Sequence, residues 1–262
     1  MCEKGVDYNA GRVLESALDI GEAMLRSGAE ILRVEDTVRR ICQAYGGGSV
    51  DVFSILSLII VSWKDQKGEN TTLVRRVYSY ATDLCRLEQL NALSRDICEN
   101  TPECDEVEKR VEAIMSSPNR KISRKRFVGY VLTAAPFAIF FGGNMRDAVA
   151  AGIVGALLYL WDFFFSARSK NRVMYIFFSS MFASAVCILS VIAGIAVHAD
   201  KVMMGVIMLL IPGISLVNSL RDMMIGDIMT GILRLAEALM MSVAIAAGFG
   251  VAIMIFRSLW GV

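Results

Sequence analysis

The charges of this chain are segregated along it: of 53 Lys, Arg, Asp and Glu residues, 39 precede Phe127 and only 14 follow. A fold that buries one core and wets one surface does not need such a division. A chain that is charged in one half and continuously apolar in the other is built for two solvents. At 55% hydrophobic residues and a mean hydropathy of +0.52, it is too apolar for an ordinary soluble domain. The expected fold class is therefore an α-helical polytopic membrane protein with about five transmembrane helices and a cytosolic N-terminal α+β domain. The domains are residues 1–122 and residues 123–262. A net charge of +1 gives no argument for a nucleic-acid partner.

The opening stretch MCEKGVDYNAGRVLESAL lacks a basic segment followed by an apolar core, so the N-terminal domain is expected to stay in the cytosol. Cys2, Cys42, Cys85, Cys98, Cys104 and Cys187 form no CxxC pair, which speaks for free thiols and against a zinc site. Helical periodicity is expected from Gly11 to Arg26 and from Ala29 to Tyr45. Two strands follow, one running from Ser49 to Trp63 and one at TTLVRRVY, joined by a glycine-containing turn. Two more helices span about Tyr80 to Glu99 and Glu103 to Met115. Ser116, Ser117, Pro118 and Asn119 make a linker.

Arg120, Lys121, Arg124, Lys125 and Arg126 stand immediately before the first long apolar segment, Phe127 to Gly143. Basic residues stay on the cytosolic side, so this segment starts there. Further segments are expected at Asp147 to Phe165, Val173 to Val197, Val202 to Leu220 and Thr230 to Phe256, with Arg168, Lys170 and Arg172 in a cytosolic loop. Small residues at Ala148, Gly152, Gly155 and Ala156, and at Ala244, Ala247 and Gly248, suit close helix packing.

One stretch of the apolar half is anomalous. Between Ile211 and Glu237 it holds Pro212-Gly213, Asn218, Arg221, Asp222, Asp227, Arg234 and Glu237. An ionisable group at membrane depth costs a few kcal/mol, so such groups face protein or water. Ser215, Asn218, Ser219 and Asp222 fall on one helical face, as do Asp227 and Arg234 with Gly231 between them. That face lines a cavity, or Arg221 to Asp227 is a hydrated loop; both readings stand. Arg234 and Glu237, three apart, are placed to neutralise each other. Asp162 and His198 fall near segment ends, His198 as an interfacial residue or a proton carrier. In the N-terminal half, Glu30, Arg33 and Asp36 are spaced so that Arg33 bridges two carboxylates, or they form a solvated helix face. With one histidine, and that in the apolar half, no nucleophile–base constellation is in evidence, so no enzyme is expected.

Three blocks carry a resemblance over most of the chain: SGAEILRVEDTVRRICQAYG, TTLVRRVYSYATDLCRLEQLNALSR and PGISLVNSLRDMMIGDIMTGILRLAEAL. They resemble the signature blocks of the threonine/serine exporter family, in the larger-subunit form of its split members. The matched positions are Ser27, Gly28, Glu30, Arg33, Glu35 and Asp36 in the first block. In the third they are Pro212, Gly213, Asn218, Asp222, Gly226, Asp227, Gly231 and Arg234. The resemblance implies a proton-driven secondary exporter in the cell (inner) membrane with its N-terminus cytoplasmic, and no cofactor or metal. Its substrate would be threonine/serine or a succinate-type dicarboxylate. Its partner would be a small four-helix membrane subunit, a homo-oligomer being equally compatible. The rival reading is a membrane-anchored cytosolic sensing or assembly module, for which five helices and a polar stripe are not needed.

Overall fold

The computed structural model describes residues 10–64, 70–78, 82–116, 124–166 and 171–260. The linker around Pro118, Arg120 and Lys121, the loop residues Arg168 and Lys170, and most of the turn KDQKGEN lie outside the described residues. The chain divides into two compact units. One comprises Met1–Pro118 with Arg221–Gly231, the other Asn119–Leu220 with Ile232–Val262.

In the first unit, α1 (Ala10–Arg26) and α2 (Ile31–Ala44) turn Leu14, Leu18, Met24, Ile31, Val34 and Ile41 inward. Gly28 takes a φ of 88° between them, in the left-handed region that a side chain resists. Three strands follow where two were expected: β1 (Ser49–Ile55), β2 (Leu58–Lys64) and β3 (Asn70–Arg76), antiparallel in that order. Ile55 pairs with Leu58, so Leu56-Ser57 is a two-residue hairpin loop. It is invisible to a search for Gly or Asn because neither residue takes a positive φ. The physical reason for folding there is length. A 15-residue strand would run about 50 Å, whereas folding it brings Val50, Ile59, Val61 and Trp63 onto one buried face. Then α3 (Leu84–Asn100) starts at Asp83, whose carboxylate accepts the Arg86 N–H at 3.1 Å, and α4 (Cys104–Ser116) follows. Cys42, Cys85, Cys98 and Cys104 are free thiols, and burial pushes Cys42 up to about 12.

The second unit is helical. Its elements are α5 (Arg124–Phe140), α6 (Met145–Phe165), α7 (Arg172–Ile192), α8 (Ala199–Ile207), and the greater part of α9 (Gly213–Ile225) and α10 (Ile228–Trp260). By length and composition, Met145–Phe165, Arg172–Ile192 and Ile228–Ser258 are long and apolar enough to cross a membrane. Gly155 and Gly248 sit where helices approach closely, whereas Ala247 is exposed. A Cβ on Gly155 would lie 2.9 Å from the Tyr130 carbonyl of α5. One on Gly248 would overlap Ser180 of α7 and lie 2.5 Å from the Phe177 carbonyl. Outward, the helices show apolar residues: Leu132, Phe140, Val149, Leu160, Val243 and Met254 are all exposed.

Candidate functional site

The fourth apolar segment is not one helix. It stops at Ile207, turns through Met208 to Pro212 and restarts at Gly213. Pro212 lacks an N–H and clashes with a preceding helical turn, which ends α8 after 9 residues. As the restart forms, the Leu216 N–H finds the Pro212 carbonyl at 3.1 Å. The first half-helix is held inside its unit: Val202, Gly205 and Val206 of α8 are buried, with Gly205 against the α5 backbone at Ala134 and Ala138.

The second half, α9, is inside out. Its polar stripe is the protected side: Ser219 and Asp222 are buried, and Ser215 and Asn218 are half-buried. Ile214, Val217, Leu220 and Met224 are exposed instead, at 51%, 65%, 58% and 87%. The start of α10 repeats the pattern, with Thr230 and Arg234 buried while Ile228, Met229, Ile232 and Leu233 are exposed. In water this arrangement would waste its apolar surface; in lipid it is the favourable one. Gly226, at φ 104°, makes the turn between the two helices, and the Asp227 carboxylate caps α10 by accepting the Thr230 N–H at 3.3 Å.

The N-terminal motif is divided among several tasks. Ser27 Oγ donates to the Ala23 carbonyl at 2.8 Å and closes the end of α1. Glu35 Oε1 accepts both the backbone N–H and the hydroxyl of Ser54 on β1, at 2.7 and 3.2 Å. Of the two readings of Glu30, Arg33 and Asp36, the bridge through Arg33 does not form among the described residues. Asp36 pairs with Arg40 at 2.8 Å and Glu30 with Arg221 at 2.6 Å, each carboxylate finding another arginine within reach. Within the first unit, the Arg221–Glu30 contact joins the first signature block to the third, 191 residues apart.

In the second unit Glu237 reaches beyond its own helix. Glu237 lies 3.6 Å from Arg172 at the start of α7, a longer reach that still pairs the carboxylate. Asp162 accepts the Tyr175 hydroxyl at 2.6 Å and stands 3.6 Å from Arg126. Sequence reasoning missed Asp147, which it treated as the beginning of a helix. Its side chain is fully buried, accepts three backbone N–H groups and lies 2.9 Å from His198 Nδ1. A surface cavity of about 290 Å³ between α1 and α4, lined by Asp19, Glu22, Arg26, Glu108 and Glu112, contains no motif residue. Among the described residues, no group of three or more His, Cys, Asp or Glu side chains is placed to hold a metal.

A family model described as "Putative threonine/serine exporter" matches residues 15–256, which takes in both units and all the motif positions named above. The chain belongs to the threonine/serine exporter family. It is similar to a protein named probable threonine/serine exporter from Mycobacterium tuberculosis, with 24% identity over 252 residues. That alignment covers 92% of this chain and 46% of the relative. It is also similar to the threonine/serine exporter of Corynebacterium glutamicum, at 23% identity over 247 residues, covering 92% and 50%. The chain thus spans about half the length of the curated relatives it matches. No solved structure matches it.

Proposed function

We propose that this chain is one subunit of a two-component secondary exporter in the cell (inner) membrane. It moves small carboxylate-bearing metabolites, threonine/serine or a succinate-type dicarboxylate, out of the cell at the expense of the proton gradient. The observation that carries this reading is the broken fourth helix continuing into an inside-out one. Transporters place their substrates at discontinuous helices, where freed backbone groups and helix ends meet the ligand. An anchor needs neither the break at Pro212-Gly213 nor the buried Ser/Asn/Asp stripe of α9.

In this mechanism the chain crosses the membrane five times from a cytosolic N-terminus, α8 and α9 together making the fourth span. Arg234 holds a substrate carboxylate, since a guanidinium presents a fork of donors matched to that group. Asp222 takes the coupling proton. Asp227 is the weaker candidate, because its carboxylate already caps α10. The small four-helix membrane subunit carries what the longer relatives hold in the part not matched here.

The test is efflux from cells loaded with a threonine-containing peptide or with succinate, with this chain expressed alone and then with the small subunit. Efflux of one solute only when both chains are present supports the two-component exporter and names its substrate. Absence of both, with both proteins in the membrane, refutes it. Within that assay, Arg234→Ala with unchanged apparent affinity ends the carboxylate clamp. Unchanged pH dependence in both Asp222→Asn and Asp227→Asn removes these two from the proton path.

A further inference from the structure

At the end of the second unit opposite Arg126 and Asp162, the start of α6 and the start of α8 meet on a single carboxylate. Asp147 Oδ1 accepts the backbone N–H groups of Val197 and His198 at 2.8 and 2.9 Å. Its Oδ2 accepts the Asn144 N–H at 3.0 Å and lies 2.9 Å from His198 Nδ1. An ionised carboxylate only accepts, so Nδ1 is the donor and carries hydrogen. The unshared pair of the neutral ring is then on Nε2. Asp147 is 0% exposed and the His198 side chain 51% exposed, so the orienting group is sealed and the ring is open to solvent. A buried carboxylate that fixes an imidazole tautomer leaves the outer nitrogen free to take a proton.

We propose that Asp147 and His198 form a proton-binding dyad at the head of α8, with His198 Nε2 as the acceptor and Asp147 as its positioning residue. In the step an O–H bond of a hydronium ion breaks as the Nε2–H bond forms, leaving water, and deprotonation reverses it at the same surface. Its consequence lies in the helix that His198 precedes. His198 stands at the N-cap position of α8, the half-helix that ends at the Met208–Pro212 break, and its side chain makes no capping bond. Protonation therefore places a unit charge at the head of that half-helix, where the helix dipole already favours negative charge.

The charged groups from neighbouring elements are few. Arg146 adjoins Asp147 on α6, and on α8 Asp200 and Lys201 pair with each other at 3.2 Å. At this end α5 and α7 bring no charged residue, and α10 carries only the exposed Arg257. The assignment of this end to the outer face rests on the proton-driven exporter reading, in which the basic starts of α5 and α7 face the cytosol.

His198 is the sole histidine of the chain, so the imidazole can be observed without substitution. The full chain, labelled with ¹⁵N-histidine and held in lipid nanodiscs, should give one neutral-form signal of the Nδ1–H tautomer. Acidification should convert that signal to the doubly protonated ring. Asp147→Asn should lose the single-tautomer signature. An Nε2–H tautomer, or a ring that stays neutral on acidification, overturns the dyad. In efflux with the small subunit, His198→Asn keeps a donor where Nδ1 stood and removes the titration, and should lose the response to external pH. An unaltered profile in that variant overturns the assignment while coupling stands. Wild-type efflux indifferent to collapse of the proton gradient instead overturns the exporter reading and the dyad's part in it, and the ring spectrum then judges the dyad alone.

Discussion

Replacing Gly205 by Ala tests how the half-helix α8 is seated. A Cβ there would lie 2.6 Å from the Ala134 carbonyl oxygen, 2.9 Å from the Ala138 nitrogen and 3.0 Å from the Ala138 Cβ. Two of the three are backbone atoms of α5 and none is the end of a flexible side chain, so α8 must move away from α5. Overpacking of this kind costs about 1–3 kcal/mol, and rigid neighbours put it near the upper end, about 3. Ala gains about 1 kcal/mol over Gly as a helix former. The expected net loss is about 2 kcal/mol, roughly a 30-fold fall in the folded-to-unfolded ratio. Gly213 supplies the control: it stands in the same broken segment, has nothing within 4 Å of its added Cβ and no positive φ, so Gly213→Ala should stay within about 0.5 kcal/mol of wild type. Denaturant titration of both variants in detergent micelles, followed by circular dichroism, measures the difference. Gly205→Ala equal to or more stable than wild type would refute the backbone-close seating of α8 and the geometry of the break with it.

Gly226→Ala should cost about 1–2 kcal/mol by the same titration, since φ 104° puts a Cβ in the left-handed region although the space around it is open. Glu35→Ala should destabilise the first unit by about 1–3 kcal/mol, because it strips the buried Ser54 N–H of its acceptor; amide exchange at Ser54 would report the loss directly. A double-mutant cycle on Glu30 and Arg221 should give a coupling of less than about 1 kcal/mol in stability, as the pair is partly exposed. Burial, opposed by Arg75, raises the Asp19 carboxyl above its ordinary 3.8. The folded state therefore holds this proton to higher pH than the unfolded chain does. Asp19's contribution to stability is favoured at low pH and lost as pH rises through the raised value. A carboxyl ¹³C titration should place its midpoint above 3.8.

Much of the helical framework was legible because it is written in periodicity and caps. The boundaries of α1, α4 and α6 fall within a residue or two of expectation, and the break at Pro212-Gly213 follows from proline's missing N–H. The polar stripe of α9 was visible too, since i, i+3, i+4 and i+7 share a face in any helix. Two local features escaped. The Leu56-Ser57 turn carries no glycine, and Asp147 looks like any acidic residue in a first turn, where such residues usually serve as caps.

What the sequence by itself determined was that the long apolar helices lie in the C-terminal half, because hydropathy is additive along the chain and needs no partner to be felt. The pairing of charges was decided only by the tertiary structure. Glu30 met Arg221, Asp36 met Arg40, Glu237 met Arg172, and Asp147 gathered donors from a loop 50 residues on. Spacing along a helix says which groups can meet on its surface. Which of them do meet depends on what other elements bring within a few ångströms, since charge interactions fall off over that distance and long side chains take the nearest partner.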